Sequence, residues 1–195
     1  MDDFPKTFLE NAANICLKID HKKIEKLVDS LKKLRELNGR LFIIGVGGSA
    51  GNASHAVNDF RKLCYIQTYT PTDNVSELTA RTNDEGWDTV FKEWLKISRL
   101  DNNDAILIFS VGGGNIKKQV SVNLIGAIDY AKKCKSKVFS IVGKPDGYAH
   151  ANSDLSLLIP NVDQQLITPY SESFQTLIWH CIVSHPRLQM NKTKW

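Results

Sequence analysis

Two stretches of this chain carry chemistry-bearing side chains at helical spacing. In "GVGGSAGNASHAVNDF", residues 45–60, His55 and Asp59 stand four apart and share one helix face. An imidazole and a carboxylate so placed can supply two ligands to a divalent metal or act as an acid–base pair. An ordinary hydrogen-bonded surface pair uses the same spacing. In "SESFQTLIWHCIVSH", residues 171–185, Glu172, Gln175 and His180 form a second candidate group. Trp179 and His180 equally suit a core, and Glu172 suits a first helical turn, where the dipole favours a carboxylate. Eight residues of continuous helix rise about 12 Å. Glu172 and His180 therefore meet at one ion only if both lean inward, if the helix starts later, or if another subunit supplies a ligand.

Two glycine-rich loops accompany these groups. Gly45, Gly47, Gly48, Ser49 and Ala50 lie between an apolar run and a helical pattern. Glycines there let a ligand approach the backbone, and the helix start behind them offers free N–H groups and a positive dipole end. The stretch suits a phosphate. It also fits a dinucleotide turn with Ala50 as its last position, but the acidic residue expected about 20 positions on is met only by Asp73. A ligand-free tight turn is the third reading. The second loop, "SVGGGN" (110–115), again follows an apolar run and precedes a helical pattern. Two such loops at neighbouring strand ends favour a small ligand, such as a sugar phosphate, in the crevice where strand order reverses.

The elements that must position these residues are legible as patterns. Residues 6–37 read as one bent helix or two, with Asp20 as a possible second cap. Short apolar runs at 40–46, 65–70, 104–110, 136–143 and 154–160 read as buried strands. Helices are expected over 49–64, 75–82, 87–99, about 115–134 and about 170–185, with an irregular loop at 143–154. This alternation predicts an α/β fold with a parallel sheet covered on both faces.

The 195 residues suit one structural unit, with residues 1–38 as a helical arm and 39–195 as the α/β domain. A net charge of +4 with scattered lysines argues against a nucleic-acid surface. No apolar run reaches the roughly 20 residues a membrane helix needs. "MDDFPKTFLE" lacks the pattern of a signal peptide, so a cytoplasmic protein is expected, with Cys16, Cys64, Cys134 and Cys181 reduced.

With these motifs assembled, the chain resembles the sugar isomerase (SIS) domain and, within it, the phosphoheptose isomerases. The family's G-N-G-G-S-A-x-x-A-x-H-x-x-x-E reads "GVGGSAGNASHAVND" here, and its Q-E-x-H-x-x-x-x-H reads "ESFQTLIWH". The resemblance implies a flavodoxin-like three-layer sandwich with a five-stranded parallel sheet, preceded by an N-terminal helical arm that joins subunits of a cytosolic homotetramer. It implies conversion of sedoheptulose 7-phosphate to D-glycero-D-manno-heptose 7-phosphate, on the way to nucleotide-activated heptose. It further implies a divalent metal, zinc in kind, held by His55, Asp59, Glu172 and His180, with Asp59 and His180 in proton transfer. Gly47, Gly48, Ser49, Ser110, Gly112, Gly113, Gly114 and Asn115 would hold the phosphate, and Asp84 of "NDEG" would meet a sugar hydroxyl.

The sequence departs from the family where Glu172 replaces a glutamine, Gln175 a histidine and Val46 an asparagine. It also departs in "SVGGGN", which keeps only Ser110 of the hydroxyls in S-T-S-G-x-S. A non-catalytic sugar-phosphate regulator, or an adaptor of the replication-initiator-binding type, is the alternative that an eroded serine loop suggests. A nicotinamide-dependent enzyme is a third.

Overall fold

The computed structural model describes residues 3–193. Its centre is a parallel sheet: β1 (Leu41–Ile44), β2 (Thr68–Tyr69), β3 (Ala105–Ser110), β4 (Lys137–Val142) and β5 (Leu155–Leu158), in spatial order β2-β1-β3-β4-β5. The register is continuous, with Leu41 beside Ala105 and Ala105 beside Lys137. Strand order reverses between β1 and β3, which leaves a crevice at their C-terminal ends.

Alternation along each strand feeds two cores. Leu41, Ile43, Leu107 and Phe109 face one side, where they meet α2 (His21–Glu36), α3 (Gly48–Cys64) and α8 (Ile167–Val183). Phe42, Ile44, Ile106 and Ile108 face the other. There they meet α5 (Val90–Ile97), α6 (Val122–Lys133) and the short α7 (Tyr148–Asn152), with α4 (Val75–Glu85) alongside α5. Successive strand side chains point to opposite faces, so near-continuous apolar runs serve both layers at once.

The N-terminal pattern resolves into two helices. α1 (Phe4–Lys18) ends at extended Ile19, and Asp20 accepts the amides of Lys22 and Lys23 to start α2. Leu27, Val28, Leu31 and Leu34 bury the α2 stripe in the core. α1 buries Ile15 but leaves Leu9 and Leu17 exposed.

Several boundaries differ from expectation. β2 is shorter than 65–70 because α3 turns off through left-handed Tyr65 (φ 53°), which delays extension. α4 runs on to Glu85 and stops at Gly86 (φ 89°). α5 is trimmed to Val90–Ile97. The expected helix from 115 begins only at Val122, because Asn115 and Val120 pair their backbones and close a loop. The irregular stretch 143–154 contains α7. α8 starts earlier than expected, with Pro169 inside its first turn, where a missing N–H costs nothing.

Candidate active site

α3 and α8 lie side by side and run in the same direction, so residues near their N-termini meet at one level and residues two turns on meet at the next. A polar seam fixes this alignment. Asn52 donates from Nδ2 to Glu172 O at 2.9 Å and to Gln175 Oε1 at 3.0 Å. Thr176 Oγ1 donates to Asn52 Oδ1 at 2.9 Å. Gln175 is fully buried there, and its Nε2 has no partner. It serves the seam rather than the site.

One level further along, His55, Asp59 and His180 converge, and one ligand atom from each lies within 4.8 Å of the others. Asp59 Oδ2 stands 3.9 Å from His55 Nε2 and 3.7 Å from His180 Nε2. Both distances exceed a hydrogen bond, so the carboxylate is not spent on either ring. The Asp59 side chain is 15% exposed, against 57% for His55 and 45% for His180. Trp179, fully buried, packs edge-on against His55 at 4.7 Å between ring centroids and backs the group from the core. Trp179 is thus the core residue its composition suggested, whereas His180 is open to solvent. Burial holds the His180 imidazole below its ordinary value, Asp59 pulls the other way, and His55 reinforces the depression.

Glu172 does not join this group. Its carboxylate rests against Gly48, where an added Cβ would lie 2.4 Å from Oε2. The reason is the one its spacing raised: α8 is continuous from Ile167, so Glu172 sits about 12 Å of helix rise from His180. It faces the start of α3 instead, a favourable place for negative charge. No side chain caps α3 at Gly47, and Ser49 is 2% exposed in its first turn.

The second loop sits beside the first at the end of β3. Ser110 is 7% exposed, and its Oγ accepts the Gly113 amide at 2.9 Å. That hydrogen bond consumes one of the three glycine amides expected to face a phosphate. Asn115 Oδ1 accepts the Lys118 amide at 2.9 Å, so the asparagine organises its own loop. Asp84, exposed near the end of α4, lies outside the His–Asp–His group and accepts from Asn83 Nδ2 at 2.7 Å. Motif spacing does not single out Asn52, although its place one turn before His55 is a signal for it. Nothing in the pattern singled out Lys118 and Lys144, which the fold brings together across the second loop.

This is a doubly wound α/β protein whose two glycine loops follow the neighbouring strands at the sheet's switch point, with an imidazole–carboxylate group further along α3 and α8, the architecture of a small-ligand enzyme. Residues 7–143 match the SIS domain family. The chain is 30% identical over 183 residues to a phosphoheptose isomerase of Helicobacter pylori (strain P12), covering 84% of this chain and 88% of that one. It is 32% identical over 154 residues to the lincomycin biosynthesis protein LmbN of Streptomyces lincolnensis, covering 75% of this chain but only 56% of that protein. Its fold matches a phosphoheptose isomerase structure from Francisella tularensis with a TM-score of 0.80 at 19% identity, over 94% and 97% of the two chains. The chain belongs to the SIS domain family and, within it, to the phosphoheptose isomerases.

Proposed function

We propose that this protein interconverts a ketose phosphate and an aldose phosphate, with sedoheptulose 7-phosphate and D-glycero-D-manno-heptose 7-phosphate as the pair. Its product would feed the formation of nucleotide-activated heptose. The observation that carries the reading is the convergence of His55, Asp59 and His180 from α3 and α8. The phosphoheptose isomerase kinship supplies the substrate class.

Two imidazoles and a carboxylate suit a divalent ion of the zinc kind, and three protein ligands leave a position open for substrate. Such an ion, when bound, would polarise the sugar carbonyl and stabilise the oxyanion that develops on it. Moving a proton between adjacent carbons also requires a group that accepts it and returns it. One of Asp59 and His180 takes that role, and the other serves as ligand only. Burial favours the neutral His180 ring, which can accept a proton, and Asp59 keeps Oδ2 clear of both imidazoles while Oδ1 accepts from Asn58 Nδ2 at 2.9 Å. His55 orients beside them. The start of α3 with Gly47, Gly48 and Ser49, and the second loop with Ser110, Gly112, Gly114 and Asn115, hold the phosphorylated end. Glu172 lies against Gly48 at the start of α3, outside the ligand group.

Asp84 would reach a sugar hydroxyl in an assembly of subunits. The apolar side chains that α1 leaves exposed fit burial in a homotetramer. Among the described residues no helix is long and apolar enough to cross a membrane; the cytoplasmic setting is part of the proposal.

The test is turnover of sedoheptulose 7-phosphate by the wild type and by His55→Ala, Asp59→Asn and His180→Ala, with bound metal measured on each. Loss of both turnover and metal in folded variants supports the assignment. Variants that isomerise at the wild-type rate defeat it. A folded wild type that binds no metal and turns nothing over would instead favour a sugar-phosphate-binding regulator.

A further inference from the structure

The second glycine loop keeps only the Ser110 hydroxyl of those that would hold a phosphate, and that oxygen accepts the Gly113 amide, yet the fold builds a different anion cradle there. Positive φ at Gly113 (73°) and Gly114 (87°) folds the loop back on itself. Three backbone hydrogen bonds then fasten it to the turn after β4: Gly143 N to Val111 O, Tyr148 N to Gly114 O, and Ala149 N to Gly113 O, at 3.0, 2.9 and 2.8 Å. The turn approaches so closely that a Cβ on Gly147 would lie 2.2 Å from Gly112 O. On the far side, Asn115 and Val120 exchange backbone hydrogen bonds at 2.9 and 3.2 Å and hold out a short loop that carries Lys118.

Between these segments lies a cavity of about 120 Å³, lined among others by Gly112, Gly114, Asn115, Lys118, Lys144 and Asp146. It is of a size for one small polar group. Among the described residues the ammonium groups of Lys118 and Lys144 have no ion pair or hydrogen bond, and the amides of Gly112 and Gly114 donate to nothing. Two cations and two free amides stand against the single carboxylate of Asp146.

We propose that Lys118 and Lys144 bind the phosphate of the substrate in this cavity, replacing the directed hydroxyl contacts of a serine loop with charge. The proposal rests on the sugar-phosphate reading above and names the residues that would set its affinity. Lysine ammonium groups act as point charges with rotatable donors. Recognition of this kind favours the phosphate dianion and weakens as salt screens it. Asn115 is then a positioning residue, because its side chain fixes the backbone of Lys118.

The experiment titrates inorganic phosphate into the wild type, Lys118→Met, Lys144→Met, the double variant and the double Lys→Arg variant, at low and high ionic strength. KM and kcat for sedoheptulose 7-phosphate are measured in parallel, with thermal unfolding as a control for folding. We expect phosphate affinity to fall about tenfold in the double Met variant, the scale of one or two charge-assisted contacts at an exposed site. KM should rise by a similar factor with kcat little changed, the Arg variant should retain most of the affinity, and the salt dependence of the wild type should flatten in the double Met variant. A folded double Met variant that binds phosphate as the wild type does, or a wild type that binds none, overturns the proposal. A wild type that binds phosphate through these lysines but does not turn over the heptose phosphate leaves the proposal standing and removes the isomerase reading instead.

Discussion

Gly47→Ala tests whether the first loop depends on backbone conformation. Gly47 sits at φ 63° and ψ −129°, a combination that side chains other than hydrogen rarely adopt. An added Cβ meets nothing within 4 Å. Any cost is therefore conformational, with no contribution from crowding by neighbours. Holding an alanine in such a region costs about 1–3 kcal/mol. For a chain of this length each kcal/mol lowers the unfolding midpoint by roughly 2–4 °C, so a cost near ~2 kcal/mol predicts a fall of about 4–8 °C. Gly51→Ala supplies the opposite sign. Gly51 is exposed inside α3 and open space surrounds its Cβ position. There alanine should stabilise by up to about 1 kcal/mol through helix propensity.

Function should follow the strain. The Gly47 carbonyl accepts the amides of Ala50 and Gly51 at 2.9 and 3.2 Å. Relaxing an alanine at 47 rotates the peptides on either side and re-aims the first amides of α3, so kcat/KM should fall in Gly47→Ala and hold in Gly51→Ala. The assay is thermal unfolding followed by circular dichroism at matched protein concentration, with isomerisation kinetics on the same samples. A Gly47→Ala protein that unfolds and turns over like the wild type refutes the argument, as do two variants that shift in the same direction.

Three further outcomes are expected. Asp104 is 3% exposed and accepts from the Arg40 amide, Nε and Nη2 and from the Asp101 amide, tying the starts of β1 and β3; Asp104→Asn should cost about 3 kcal/mol, the low end for breaking a buried ion pair, read as a lower urea midpoint. Burial pushes the Cys64 thiol up to about 12, with Asp59 adding to the rise and Arg35 opposing it. Between pH 7 and 9 its thiolate therefore stays scarce, so iodoacetamide should modify exposed Cys181 in the native protein and leave Cys64 untouched until the protein unfolds; mass spectrometry showing Cys64 labelled in the native state would contradict this. Asn52→Leu strips the α3–α8 seam of its donor and acceptor and should destabilise by about 1–3 kcal/mol, while weakening metal binding by the unaltered His55, Asp59 and His180, a coupling that equilibrium dialysis would detect.

Much of the architecture was readable because it depends on local pattern. Strands such as "DAILIFS" are short and apolar because both sheet faces are covered, and the fold class follows from their alternation with helices. His55 and Asp59 were readable as a pair because four residues make about one helical turn. What failed was local too, but depended on distant partners. The pattern starts α6 too early because residues 115–120 have helix-compatible composition, and only the backbone pairing of Asn115 with Val120 takes them out of the helix.

By itself, then, the sequence determined the parallel α/β class, the two glycine loops at strand ends and the His–Asp pair on α3, because periodicity and glycine conformation act within a few residues of chain. Tertiary structure alone decided which residue of α8 completes that pair. The parallel alignment of α3 with α8 brings His180 to Asp59 and sends Glu172 to Gly48. It alone also set Lys118 opposite Lys144, 26 residues apart in the chain. These choices rest on the relative placement of packed elements, fixed by the core beneath them and by hydrogen bonds such as those of Asn52, and no spacing along a single helix or loop encodes them.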